Sequence, residues 1–166
     1  MSLREEFIAV AQKEVGYVEG PKDNETKYGK FTKANYLPWC GSFVMWCAAQ
    51  VGLKIPNVVS TFYGAEKFKG VGGWWNASTY KPRPGDLAFF DFQEGGNPID
   101  HIGIVIHDNG DGTVTTIEGN TTGEKKKKAS ERNGGEVAIK VRAYRDSNKK
   151  KLPVFIVGFG SPKFKN

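Results

Sequence analysis

The sequence predicts an α+β fold, with N-terminal helices packed on an antiparallel β-sheet. Three observations lead there. Apolar residues recur at helical spacing in the segments before Lys81. After Lys81, short apolar or alternating runs bounded by Gly, Pro, Asn and Asp take over. Helices first and strands afterwards is the order of an α+β domain, not of alternating βαβ units.

The first helix is expected over residues 3–15. Ser2 and Glu5 have the spacing of a capping box, Leu3, Phe7, Ile8, Ala11 and Val15 repeat on one face, and Gly16 stops it. Residues 17–37 are polar and punctuated by Gly20-Pro21 and Gly29, which reads as loop. Asp23 and Glu25 in this loop read as a solvated turn and not as metal ligands. The second helix is expected over residues 40–51, where Phe43, Val44, Cys47 and Val51 form the apolar stripe and Gly52 ends it. Ser60 caps a third helix that runs to about Phe68. A glycine-rich loop with adjacent Trp74 and Trp75 follows. These tryptophans are either buried anchors or the wall of a substrate groove, since large aromatics also stack on sugars and peptides.

The turn Lys81-Pro82-Arg83-Pro84-Gly85-Asp86 leads into an apolar strand over residues 87–92. The next strand covers residues 100–107. Ile102, Ile104 and Ile106 share one of its faces, and His101, Gly103, Val105 and His107 the other. A turn rich in Asn, Asp and Gly at residues 108–112 returns the chain as a strand over 114–118. Residues 121–135 form a long charged loop, and residues 136–144 and 154–158 give two more strands. No repeat or linker divides the chain, so residues 1–166 are expected to form one domain, long enough for one hydrophobic core.

Composition narrows the class. Hydrophobic residues make up 39% and charged residues 25%, the balance of an ordinary globular protein. No apolar run approaches the roughly 18 residues of a membrane span, so no stable membrane insertion is expected. The N-terminal residues lack a signal-peptide core. The net charge of +6 is densest at residues 125–128 and 149–151. Neither run carries interleaved aromatics, so both read as solvated loops and no nucleic-acid partner is expected. The two cysteines, Cys40 and Cys47, lie about 10 Å apart along one helix at 1.5 Å per residue. A disulfide needs less than about 7 Å between α-carbons, so they do not pair while the helix holds.

Cys40 follows Pro38-Trp39 and opens the apolar helix. A helix N-terminus presents free N–H groups and a partial positive charge, which favour a thiolate. The same position suits a buried structural cysteine. A thiol nucleophile also needs a base, and the base needs a third group to fix its tautomer. His101 begins a strand, and the other arm of its hairpin carries Glu118 and Asn120, which share a face if the strand persists. That assembles Cys40, His101 and Glu118 or Asn120 from separate parts of the chain. His107 lies at the far end of the same strand, beside a turn, and reads as an exposed structural residue.

These blocks resemble a known family. Pro38-Trp39-Cys40-Gly41-Ser42-Phe43-Val44-Met45-Trp46-Cys47, Arg83-Pro84-Gly85-Asp86-Leu87-Ala88-Phe89-Phe90, Asp100-His101-Ile102-Gly103-Ile104-Val105 and Ile117-Glu118-Gly119-Asn120-Thr121 are similar to the four signature blocks of the CHAP domain, in the family's order and spacing. CHAP domains are cysteine- and histidine-dependent amidohydrolases and peptidases of bacterial cell-wall lysis.

The resemblance implies a papain-like α+β fold of the NlpC/P60–CHAP superfamily. It implies Cys40 as nucleophile, His101 as general base and acid, Glu118 as the orienting carboxylate and Asn120 as its assistant. The backbone N–H of Cys40 would serve the oxyanion, with Tyr36 or a neighbour as a second donor. Tyr36, Trp39, Trp74 and Trp75 are the candidates for substrate contact. Some family members carry calcium on an acidic loop around the nucleophile. Residues 31–42 here contain no Asp or Glu, so no metal of that kind is expected; no other metal or cofactor is expected either. NlpC/P60 peptidases usually place a histidine where this chain has Glu118, which makes them the second choice. The implied activity is that of a phage endolysin-like peptidoglycan hydrolase, either an N-acetylmuramoyl-L-alanine amidase or an endopeptidase. A contact-delivered antibacterial amidase and a wall-binding module without catalysis are the rivals. The expected partner is bacterial peptidoglycan and the expected state a monomer, made in the host bacterial cytoplasm and acting on the wall after release.

Overall fold

The computed structural model of the chain describes residues 1–125 and 130–165. Most of the lysine run at residues 125–128 therefore lies outside the described residues. Among the described residues, four helices come first: α1 (Leu3–Lys13), α2 (Lys27–Thr32), α3 (Cys40–Gln50) and α4 (Thr61–Gly70). Six strands follow among the same residues: β1 (Trp74–Asn76), β2 (Leu87–Phe90), β3 (His101–Asp108), β4 (Thr113–Thr121), β5 (Glu136–Ala143) and β6 (Ile156–Gly160). They form one sheet in the order β1-β6-β2-β3-β4-β5, with every pair antiparallel.

Each expected element is present, with ends moved by a few residues. The capping box of α1 is complete: the Ser2 hydroxyl accepts from the Glu5 N–H, and the Glu5 carboxylate accepts from the Ser2 N–H. Two elements lie where the sequence reads as loop. The short α2 is capped by Thr26, whose hydroxyl accepts from the Gly29 N–H at 2.9 Å. It stands because Tyr28 is buried among Tyr17, Trp39, Phe43 and Trp46, so tertiary packing supplies what a six-residue polar segment lacks. Strand β1 carries the paired tryptophans and is held by its ladder with β6.

Period-2 alternation divides the core between the two faces of the sheet. Leu87, Phe89, Ile102, Ile104, Ile117 and Val137 face the helices and meet Phe7, Phe43, Cys47 and Phe68. Ala88, Phe90, Phe92, Val105, Val114 and Phe159 form a second cluster on the opposite face. His101 belongs to that opposite face, packed against Phe90 and Phe92.

Candidate active site

Cys40 is the first residue of α3, and Trp39 caps the helix without a side-chain hydrogen bond. The helix start is pressed onto the segment before α4. A Cβ on Gly41 would collide with the carbonyl oxygen of Val58, so only glycine lets the chain approach this closely. Ser42 is buried behind it, with its hydroxyl 2.6 Å from that of Thr32. Cys40 itself is 4% exposed, at the edge of the core. Cys47, one face further down the same helix, is fully buried. Burial, with Glu14 adding to it, pushes the Cys47 thiol well up. The two cysteines are not bonded to each other.

His101 opens β3 and is wholly buried. Its Nε2 lies 2.8 Å from Oε1 of Glu118. Its Nδ1 makes no well-formed hydrogen bond, although it is buried. Burial alone would disfavour an imidazolium. The nearby Cys40 sulfur and the Glu118 carboxylate outweigh that and raise His101 to about 9. With Nε2 tied to Glu118, Nδ1 is the ring atom left to serve Cys40. Catalytic hydrogen bonds are often loose before substrate binds, so the unmade bond at Nδ1 is compatible with that role.

Glu118 is also fully buried, and four bonds saturate its carboxylate. Oε1 faces His101 and accepts from Arg142 Nη2 at 2.7 Å. Oε2 accepts from Arg142 Nε at 2.8 Å and from the Thr116 hydroxyl at 2.6 Å. Burial works against the carboxylate, but the Arg142 guanidinium more than offsets it and holds Glu118 well below the usual range. Arg142 continues outward to Glu131 at 2.9 Å and lies over the rings of Phe90 and Phe92. Gly103 makes room for this arrangement. A Cβ there would stand 2.6 Å from Glu118 Cγ.

Asn120 does not join His101, which corrects the expectation that it shares a face with Glu118. The register of β4 against β5 shifts between Glu118 and Thr121, and Asn120 has a φ of 55°. That kink re-aims its side chain. Its amide nitrogen donates to Asn133 and its oxygen accepts from the Gly135 N–H, both at 3.0 Å. Asn120 thus anchors the segment before β5.

A cleft of about 280 Å³ opens over Cys40. Its walls are Leu37 and Pro38, residues 59–62, residues 95–97, Ile99, Asp100 and Arg132. Asp100 fixes one wall: its carboxylate accepts from the backbone N–H groups of Phe92 and Glu94 at 2.9 and 3.0 Å. Arg132 closes that wall, donating through Nε to the Asp100 carbonyl at 3.1 Å.

None of the aromatic candidates for substrate contact is among the residues that line this cleft. Trp39 is fully buried, stacked on Tyr28 with centroids 5.5 Å apart, and is a core residue. Tyr36 is exposed beside the cleft, but its backbone N–H is bonded to the Asn24 carbonyl and so is not a free oxyanion donor. Trp74 packs on Phe89, and Trp75 stacks on Tyr80. Their strand is three places from β3 in the sheet, roughly 14 Å across at 4.7–4.9 Å per strand. Neither lines the cleft. His107 is exposed at the far end of β3. Among the described residues, no group of three or more His, Cys, Asp or Glu side chains is placed to hold a metal ion.

The family model described as the CHAP domain matches residues 32–120, more than half of the chain and the stretch that contains Cys40, His101 and Glu118. Curated proteins give no significant match. Solved structures share the fold at low identity. The endolysin LysIME-EF1 is 14% identical with a TM-score of 0.52, over 98% of this chain and 65% of that one. Ly7917, in a structure with the hydrolyzing product of MDP, is 14% identical with a TM-score of 0.53, over 96% and 62%. An NLP/P60-family protein described as similar to lipoprotein, from Staphylococcus aureus subsp. aureus Mu50, is 14% identical with a TM-score of 0.50, over 97% and 42%. The chain thus spans between 42% and 65% of the length of these three proteins.

Proposed function

The chain belongs to the CHAP-domain family, and on that premise we propose that it hydrolyses an amide bond of bacterial peptidoglycan by cysteine nucleophilic catalysis. The observation that carries this is the buried relay from His101 through Glu118 to Arg142, set beside a cysteine at a helix N-terminus that lines a cleft.

Each group has a step. His101 takes the Cys40 thiol proton at Nδ1, and the thiolate attacks the scissile carbonyl carbon. The carbonyl oxygen becomes the oxyanion, and the backbone N–H of Cys40, at the positive end of α3, stabilises it. Collapse breaks the C–N bond, and His101 gives its proton to the leaving amine. A thioester on Cys40 remains. Water then attacks it, His101 accepts the water proton, and carboxylate release returns the thiol. Through both halves Glu118 holds Nε2–H, which fixes the tautomer and stabilises the imidazolium. Arg142 and Thr116 keep Glu118 ionised and oriented.

The bond is either the muramoyl–L-alanine amide or a peptide bond of the stem or cross-bridge. The enzyme works as a monomer, made in a bacterial cytoplasm and acting on the wall after release, as an endolysin does. The test is mass spectrometry of walls with different cross-bridges, digested by wild type and by Cys40→Ala. Cys40→Ala removes one buried sulfur and should retain the fold while losing cleavage. New amine ends seen with wild type alone establish the chemistry and name the bond. Equal cleavage by the variant would sink the mechanism.

A further inference from the structure

Arg132 stands on the wall of the cleft that holds Cys40, and only part of its guanidinium is in use. Nε donates to the Asp100 carbonyl, and the backbone N–H donates to the Glu94 carboxylate, both at 3.1 Å. The guanidinium lies against Gly95, where a Cβ would stand 3.4 Å from Cζ. Among the described residues, neither Nη nitrogen has a hydrogen-bond partner, and no carboxylate pairs with the group. Arg142 is the contrast, since its Nη2 is spent on Glu118, Thr121 and Glu131. Arg132 is also the one cation among the described residues that line the cleft. The one acid there, Asp100, already accepts from two backbone N–H groups.

A guanidinium held through Nε presents its remaining N–H groups as a planar fork, the geometry that matches a carboxylate. Apart from the reactive Cys40 and from Asp100, whose carboxylate is taken up by two backbone N–H groups, the residues that line the cleft with Arg132 are uncharged, and an anion bound in this sheltered cleft is screened less than on an open surface. A sphere of 280 Å³ is about 8 Å across, the span of two or three residues of extended peptide at 3.3–3.6 Å each. A group on Arg132 is therefore within a residue or two of an amide on Cys40.

We propose that Arg132 recognises a free carboxylate on the peptide being cut, so that the preferred substrate is anionic beside the scissile amide and its carboxamide counterpart is rejected. This rests on the amide-hydrolase reading above. The experiment uses two synthetic stem peptides that differ only in carryings of a carboxylate or a carboxamide on the residue next to the scissile bond. The ratio of their kcat/KM values is measured for wild type, Arg132→Gln and Arg132→Lys, and their binding to Cys40→Ala is measured by calorimetry. Wild type should prefer the carboxylate by about 10- to 100-fold, the range for hydrogen bonds to a charged group. The ratio should fall to about one in Arg132→Gln. Arg132→Lys keeps the charge without the fork and should lie between them, and it serves also if Arg132→Gln does not fold. Equal cleavage of both peptides by wild type, or a preference that survives Arg132→Gln, overturns the carboxylate site and leaves the hydrolase standing. Preferential binding to Cys40→Ala without any cleavage by wild type supports the site and overturns the hydrolase. Neither cleavage nor binding overturns both.

Discussion

Replacing Arg142 with Met tests whether the site depends on a residue that touches neither thiol nor substrate. The side chains of Arg142 and Glu118 are 12% and 0% exposed, so the pair is effectively removed from water. Met keeps most of the packing against Phe90 and Phe92 but deletes two of the four hydrogen bonds that saturate the Glu118 carboxylate. Removing one partner of a buried pair leaves an uncompensated charge and costs roughly 3–5 kcal/mol. For a domain of this size, each kcal/mol is about 2–4 °C, so the melting temperature at pH 7 should fall by roughly 6–20 °C. The pH dependence gives the sharper sign. In wild type the folded-state value of Glu118 is depressed, so its contribution is present above the ordinary carboxylate range and is lost as pH falls through the folded value. Without the guanidinium, burial dominates and the folded value rises above the unfolded one. The deficit of the variant should therefore be largest near neutrality and shrink as pH falls toward 5. Once Glu118 takes up a proton, His101 loses part of what holds its own proton, and the alkaline limb of kcat/KM should move to lower pH. Thermal unfolding from pH 5 to 8 and pH–rate profiles read both effects, with Arg142→Lys as the variant that keeps charge but loses the fork. A variant within 1 kcal/mol of wild type at pH 7, with an unmoved alkaline limb, would refute the relay.

Two further outcomes follow from the same geometry. His101 is raised from 6.5 to about 9, so the stability it contributes is complete below about pH 6.5 and is lost as pH rises through 9; NMR titration of its ring should show a value near 9 in wild type and a lower one in Cys40→Ala, and identical values in the two proteins would mean that the sulfur is not beside the ring. Gly103→Ala should cost about 1–3 kcal/mol as an overpacked core site and reduce activity further, because the new methyl stands 2.6 Å from Glu118 Cγ and the carboxylate has no slack to yield; unchanged stability and rate would show that Glu118 is not fixed.

Much of this site is legible in the sequence because its parts are local. Pro38-Trp39 followed by an apolar 3.6-period run places Cys40 at a helix start, and the hairpin turn at residues 108–112 sets His101 and Glu118 on neighbouring strands. What the sequence leaves out depends on register or on tertiary packing. Arg142 lies two positions along from the residue paired with Thr116, and the register of β4 against β5 must be known before its side chain is seen to reach Glu118. Arg132 sits in a charged loop, where nothing local separates it from solvated neighbours. Asn120 shows the limit of alternation, since one residue at positive φ ends the pattern that places it beside Glu118. The tryptophans show another: aromatic residues near a nucleophile serve the core as readily as a groove, and Trp39 does so through Tyr28.

The two cation sites explain why the chain needs two arginines near one thiol. Arg142 is largely sheltered and is paired on both sides, with Glu118 and with Glu131, so its charge is spent within the protein. Its effect is to make Glu118 a permanent carboxylate, and so to keep His101 protonated when Cys40 is a thiolate. Counting Cys40, Glu118 and Glu131 as negative, and His101, Arg142 and Lys140 as positive, the linked cluster is neutral in its ion-paired state. A neutral cluster does not itself attract or repel a charged peptide. Any charge preference for substrate must then come from outside it. Arg132, half-exposed on the wall of the cleft that Cys40 lines, is the group with N–H donors to spare. Reactivity and recognition are thereby assigned to separate guanidiniums, and this separation is what the paired variants resolve: changes at Arg142 should alter pH dependence for every substrate, while changes at Arg132 should alter the ratio between substrates and leave the pH dependence in place.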